Sequence, residues 1–125
     1  MTLLDANYFL RWFLNDVPSQ NKIVKQTLAQ AEPDSLMMDR ITLAEVTYVL
    51  RSLGYNHQQV VMAIKEFYLV ASVKPLDKTL SLALDIFEGT SLDFEDCWLA
   101  AKVKDADMSL ASFDKQLQRF VSSLA

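Results

Sequence analysis

The chain has 125 residues, 51% of them hydrophobic, and only two glycines, which is the composition of one domain with a buried core and excludes a disordered or low-complexity protein. Its formal net charge of −4 at pH 7 excludes a protein that coats nucleic acid with a broad basic face, but not an enzyme that grips a few phosphates near a metal. With Cys97 as its one cysteine and His57 as its one histidine, the chain has no intrachain disulfide and no Cys/His zinc site, and we expect a cytoplasmic protein without a membrane span.

Short apolar strands are predicted to alternate with helices along the chain. The strand pattern, an apolar run bounded by polar or turn residues, occurs at residues 3–4, 36–38, 70–73 and 108–112. The helical period, bounded by capping residues, glycines or prolines, occurs at residues 7–14, 19–31, 42–53, 58–69, 76–87, 93–106 and 114–124. This order predicts a single domain over residues 1–125, an α/β sandwich with a mostly parallel sheet.

The first predicted helix is apolar on nearly every side, so its outer face must be covered. Tyr8, Trp12 and Phe13 on one side of it, together with the second helix, are expected to form a groove for a partner's amphipathic segment. A contact between two copies of the chain and a well-covered core explain the same apolar surplus.

Four acids stand at strand ends or helix starts, where an α/β fold gathers the groups that bind ligands. They are Asp5, Glu45, Asp96 and Asp114. Clustered carboxylates repel one another, and a hard divalent cation such as Mg²⁺ or Mn²⁺ relieves that repulsion. The pattern therefore predicts a carboxylate metal site.

Each of these acids also has a structural explanation. Thr42 and Glu45 fit a capping box, Asp96 suits the first turn of a helix that Asp93 begins, and Asp114 is a suitable cap for the last helix. An acid directly after a buried strand, as at Asp5, is harder to explain without a partner or a ligand.

Four segments of the chain resemble the motifs of PIN domains, in their order and spacing. They are Leu3–Leu10, which contains the hydrophobic-Asp-x-Asn-hydrophobic pattern, Ile41–Glu45, Leu92–Ala101, and Leu110–Leu117 with Ser112 where Thr is usual. The resemblance covers nearly the whole chain. It implies a three-layer α/β/α sandwich with a central, mostly parallel, short-stranded sheet, and it implies that the four acids form one catalytic, metal-binding quartet.

The small one-domain form is most similar to the VapC-type toxins, and that likeness implies an activity and partners. The expected activity is Mg²⁺- or Mn²⁺-dependent endoribonuclease cleavage of RNA, and the expected partners are a cognate antitoxin and a second copy of the chain. Asp93 and Glu95 crowd the third motif, so Asp93 and Asp96 both remain candidates for the direct ligand. The register of Asp96 against Ala100 and Ala101 favours Asp96.

Supporting roles are predicted for residues near the quartet. Asn7 and Ser112 are candidates to orient a carboxylate or a metal-bound water, although Asn7 equally suits an N-cap. Arg11, one turn beyond Asn7, is a candidate for a substrate phosphate, and a solvated Arg11 is the alternative. Arg40 and Lys115 carry weaker forms of the same argument.

Two other functions compete with the nuclease. A catalytically silent PIN-like binding module would keep the fold without the reaction. A receiver domain has a similar length, but it needs an acid pair after the first strand, where Asp5 stands alone, and a lysine later than Lys74.

Overall fold

The computed structural model describes residues 1–124, and the chain divides into two compact units, Met1–Pro75 and Leu76–Ala125. The elements of the first unit are β1 (Thr2–Leu3), α1 (Ala6–Leu14), α2 (Pro18–Gln30), β2 (Leu36–Met37), α3 (Arg40–Ser52) and α4 (His57–Phe67). Those of the second are α5 (Lys78–Gly89), α6 (Phe94–Asp105) and α7 (Lys115–Ser123). Helices and a parallel strand pair confirm the predicted α/β class.

The two strands of the first unit pair in parallel, as the sequence predicts, with Leu3 opposite Met37. The backbone N–H of Leu4 continues the ladder by donating to the carbonyl of Met37 at 2.8 Å. Continued by two residues, this register places Asp5 level with Asp39, so that both strands run into an aspartate at the same edge of the sheet.

The strand predicted at residues 70–73 is wrong except at its last residue, where Val73 forms a parallel bridge with Leu36. The N–H of Val73 donates to the carbonyl of Val70 at 3.0 Å, which makes a turn of the segment. The hydroxyl of Ser72 donates to the carbonyl of Leu28 at 2.7 Å and fixes the turn against α2. The segment also bonds to β2, because the N–H of Leu36 donates to the carbonyl of Ser72 at 2.9 Å and the N–H of Lys74 donates to the carbonyl of Leu36 at 2.7 Å. The pairing is thus limited to one short parallel bridge.

The strand predicted at residues 108–112 is also wrong, because this segment has no regular secondary structure. Met108 is 55% exposed, and within the described part of the second unit no strand is present to pair with it. An apolar run without a partner strand leaves backbone groups to water, so the run alone does not make a strand.

Aspartates cap five of the seven helices, which moves two predicted helix starts. The side chain of Asp5 accepts from Tyr8 N at 3.2 Å, and that of Asp39 accepts from Thr42 N at 2.9 Å. The predicted caps Asn7 and Thr42 are therefore wrong, since each lies inside its helix. The remaining three caps share this geometry and are Asp77, Asp93 and Asp114.

The apolar side chains of α1 are covered largely by the first unit itself. Phe9 is completely buried, and its ring lies 5.3 Å from that of Phe67 in α4. Trp12 meets the same Phe67 edge-on at 5.1 Å. The first unit therefore has an aromatic cluster centred on Phe67, and the half-buried Trp12 packs against it.

In the second unit, small residues let α5 and α6 pack closely. Cys97, Ala100 and Ala101 of α6 are fully buried, and Phe94 meets Phe87 edge-on at 6.2 Å. Leu117 anchors α7 and is buried as well. None of the helices in residues 1–124 has the length and apolar character needed to cross a membrane.

Candidate functional site

The first unit contributes Asp5, at the point where β1 ends and α1 begins. The carboxylate is exposed, and its Oδ1 accepts the hydrogen bond from Tyr8 that caps α1. A carboxylate has two oxygens, so capping with one leaves the other for a ligand. The structural role and the metal-binding role predicted for Asp5 are therefore compatible.

Asp39 occupies the equivalent position after β2, and the sequence analysis missed it. It is half-buried and caps α3, whereas Asp5 is exposed. The signal was available, because Asp39 follows the apolar run Leu36–Met38 as Asp5 follows Leu4. Because Thr42 also suits the start of a helix, the sequence pattern does not single out Asp39.

Thr42 joins the start of α3 to the end of β1. Its hydroxyl donates a long hydrogen bond of 3.5 Å to the carbonyl of Leu4, in a buried setting. The predicted capping box of Thr42 and Glu45 is wrong: with Asp39 as the cap, Glu45 lies in the second turn, too far along to reach the first backbone N–H groups. Glu45 is exposed on α3, which leaves its carboxylate to other roles.

A cavity of about 230 Å³ lies between α1 and α2. One side of it is lined by Asp5, which caps α1, and by Asn7, Tyr8 and Arg11 of α1. The other side is lined by Gln20, Ile23 and Val24 of α2. The structure therefore brings three predicted site residues, Asp5, Asn7 and Arg11, to one cavity. Arg11 is not simply solvated, because its Nη1 donates to both carboxylate oxygens of Asp16 at 2.7 and 2.8 Å.

The second unit groups the acids of the third and fourth motifs. Asp93 caps α6 by accepting from Asp96 N at 3.0 Å. The half-buried Asp96 carboxyl has its pKa raised to about 6, first because burial disfavours its charge and then because Asp93, Asp114 and Glu95 repel that charge. A bound cation would offset the repulsion among these neighbouring carboxylates.

Asp114 begins α7, and Ser112 acts on its backbone. The Asp114 carboxylate accepts from Leu117 N at 3.0 Å, and the N–H of Asp114 donates to Ser112 Oγ at 3.0 Å. Ser112 was predicted to orient a carboxylate or a metal-bound water. In the structure its hydroxyl holds the main chain of Asp114, which fixes where the carboxylate starts.

Oxygen donors of this kind fit a hard cation such as Mg²⁺ or Mn²⁺. Within residues 1–124, however, no group of three or more His, Cys, Asp or Glu side chains is arranged to hold a metal ion. The assignment of Asp5, Glu45, Asp96 and Asp114 to one cation therefore stays a prediction. The buried thiol of Cys97 is an unsuitable ligand, because burial raises its pKa to about 12.

Comparison with known proteins identifies one family. The family model described as the PIN domain matches residues 2–121, a span that includes all four motifs and parts of both units. The comparisons with curated proteins and with solved structures give no significant match. The family match excludes the receiver-domain alternative.

Proposed function

The chain belongs to the PIN-domain family, whose members are generally metal-dependent nucleases, and we propose that this protein is a Mg²⁺- or Mn²⁺-dependent endoribonuclease. The observation that carries the proposal is the state of Asp96. Its carboxyl is half-buried beside Asp93 and Asp114, with a raised pKa, at the third motif of the family. A bound divalent cation would offset that repulsion, and such sites are where perturbed carboxylates concentrate.

Asp5, Glu45, Asp96 and Asp114 are the residues proposed to hold the cation. When bound, a divalent cation supplies a Lewis acid that lowers the pKa of water and offsets charge on a phosphodiester. Helix capping fixes the rotamers of Asp5 and Asp114, since one oxygen of each is bonded to a backbone N–H. Preorganised carboxylates lose little entropy on binding a ligand, which favours a precise site.

Arg11 is proposed to contact a phosphate of the substrate. It lines the cavity that begins at Asp5, and its Nη1 donates to both carboxylate oxygens of Asp16. The other N–H groups of the guanidinium remain for a phosphate, which arginine binds in a forked geometry. Lys115, exposed beside Asp114, is a second candidate for such a contact.

The biological role that we propose is that of a toxin in a type II toxin–antitoxin pair, acting in the cytoplasm. The small size and the resemblance of all four motifs to VapC-type toxins support this role. A cleft of about 170 Å³ in the first unit provides an apolar surface for an antitoxin helix. It is lined by Phe13, Tyr55, Gln59, Met62, Ala63 and Glu66. Of the residues predicted to form the groove, Phe13 alone is in this lining, whereas Tyr8 and the second helix line the cavity beside Asp5. A homodimer is proposed as the assembly that binds the antitoxin.

The nuclease is tested with the purified chain and a labelled RNA. We expect cleavage with Mn²⁺ or Mg²⁺, none with EDTA, and none in Asp96→Asn, which retains the fold. Asp85→Asn, at an exposed acid of α5 outside the motifs, is the matched control and should cleave at the wild-type rate. Metal-independent cleavage, or full activity in Asp96→Asn, would contradict the proposal.

A silent PIN-like binding module is the second candidate, and one observation favours it. In the described part of the chain, the acids do not form a group of three or more that is suited to a metal. Titration of Mn²⁺ into the wild-type chain, followed by calorimetry, separates the two functions. Stoichiometric binding that Asp96→Asn abolishes supports the nuclease, and the absence of binding supports the silent module.

A further inference from the structure

Phe113 stands directly before the motif acid Asp114, and its side chain is 104% exposed. Transfer of a phenylalanine ring out of water is favourable, so the full exposure of a ring next to a functional group is informative. Phe113, between Ser112 and Asp114 of this motif, neither caps a helix nor packs in the core, so neither role explains a phenylalanine at this position. Its ring is free to meet a ligand.

The exposure of the ring follows from a fixed backbone. Ser112 Oγ accepts from the N–H of Asp114 at 3.0 Å, and the side-chain amide of Gln118 donates to the carbonyl of Ser112. Gln116 reaches across to Ser91, donating to its hydroxyl at 2.9 Å. The backbone on both sides of Phe113 is thus held by hydrogen bonds, and Phe113 is fixed in the chain directly before Asp114.

Two cationic side chains follow Phe113, on α7. Lys115 and Arg119 are both exposed and lie one turn apart on α7, four residues from each other. An aromatic ring next to exposed cations is the combination that binds single-stranded nucleic acid: bases stack on the ring, and the cations attract the backbone phosphates. The chain is acidic overall, so such a local combination matters more.

We propose that Phe113 stacks on an unpaired base of the RNA substrate next to the cleaved phosphodiester. The proposal rests on the ribonuclease function, and it adds a residue that contacts the substrate. A base that is paired and stacked in a duplex has no free face, so the ring binds an unpaired base only. Phe113 sets how tightly that segment is held, while the acids carry out the reaction.

The first test compares Phe113→Ala, Phe113→Leu and Phe113→Trp on a single-stranded RNA and on its duplex. Loss of one stacked base weakens binding by about 5- to 100-fold. We expect KM to rise by about that factor in Phe113→Ala and Phe113→Leu, with kcat unchanged, and to stay near the wild-type value in Phe113→Trp. Duplex RNA should be a poor substrate for every form. Met108→Ala, at another exposed apolar residue of the same unit, is the matched control and should keep the wild-type KM.

An unchanged KM in Phe113→Ala, or a wild-type KM in Phe113→Leu, overturns the stacking proposal, because leucine preserves the apolar character without the ring face. A preference for the duplex also overturns it. Unfolding temperatures should stay within a degree or two of wild type, since an exposed ring adds little to stability.

A binding measurement separates this proposal from the proposed ribonuclease activity. In Phe113→Trp combined with Asp96→Asn, stacking should quench the new indole when single-stranded RNA is added, whereas duplex RNA should quench it weakly. Quenching without cleavage by the wild-type chain would reject the nuclease and keep the stacking. Cleavage by the wild-type chain without quenching would reject the stacking and keep the nuclease. Burial of Phe113 by a second copy of the chain would also reject the stacking.

Discussion

Arg11 and Asp16 are joined through one nitrogen: Nη1 of Arg11 donates to both carboxylate oxygens of Asp16, at 2.7 and 2.8 Å. The pair closes the end of α1, where Asn15 has a left-handed conformation that turns the chain back toward the helix. Because Arg11 also lines the cavity that begins at Asp5, the charge of Asp16 opposes the binding of a phosphate there.

Asp16→Asn should therefore strengthen the binding of RNA. The substitution removes the opposing charge, and we expect KM to fall by about two- to fivefold, whereas Arg11→Ala should raise it. The free energy of unfolding should change by less than about 1 kcal/mol in both variants, because the pair is partly exposed. Steady-state cleavage and denaturant unfolding check these values. An equal KM in all three proteins would mean that Arg11 does not contact the substrate.

Asp5→Asn and Asp5→Ala should separate the cap of α1 from the metal site. Asparagine caps helices about as well as aspartate, so Asp5→Asn should lose cleavage without losing stability, while Asp5→Ala should lose both and cost about 1 kcal/mol. Thermal unfolding and metal-dependent cleavage are measured on the same preparations. Retention of cleavage in Asp5→Asn would remove Asp5 from the site.

Asp96→Asn should be more stable than the wild type at neutral pH without metal. The folded-state pKa of Asp96 is raised from 3.8 to about 6, so the folded state binds a proton more tightly than the unfolded state. Stability is therefore lost as the pH rises between about 4 and 6. Asparagine has no such proton to lose.

The gain should reach about 1 kcal/mol at pH 7.5, after allowance for the partial exposure of Asp96, and should vanish near pH 4. Thermal unfolding in EDTA across this pH range is the measurement. Asp85→Asn serves again as the control at an exposed acid of α5. A constant difference between Asp96→Asn and wild type would show that Asp96 is not electrostatically strained.

Mn²⁺ should stabilise the wild-type chain, because a ligand that binds only the folded state shifts the unfolding equilibrium. At a concentration 100 times Kd, the gain is about 2.7 kcal/mol. Asp114→Asn retains a residue that caps α7 but loses a charged ligand, so its stabilisation by Mn²⁺ should be much smaller. Thermal scans with and without metal check this. Equal shifts for both proteins would place the cation elsewhere.

The sequence allowed correct prediction of the helices and of one strand pair, because both follow from local patterns. The helical period of 3.6 residues placed each described helix within a few residues. The short apolar runs at Leu3 and Leu36 correspond to the two strands of the parallel pair. Helix starts were less predictable, since Asp39 and Thr42 are both good caps. Which of the two caps α3 depends on where β2 ends. The end of β2 is in turn fixed by the end of its pairing with β1.

The sequence by itself determined the family, the helical content and the positions of the motif acids, because these depend on residue type and spacing along the chain. Only the tertiary structure decided that residues 108–112 form no strand, since a strand exists only where a partner supplies its hydrogen bonds. It likewise decided that residues 70–73 pair with β2 only through the bridge between Val73 and Leu36. It also decided that Arg11 is paired with Asp16 and that Trp12 is packed on Phe67. The exposure of Phe113 belongs to the same class of facts: each depends on which distant segments meet, and no local pattern records that.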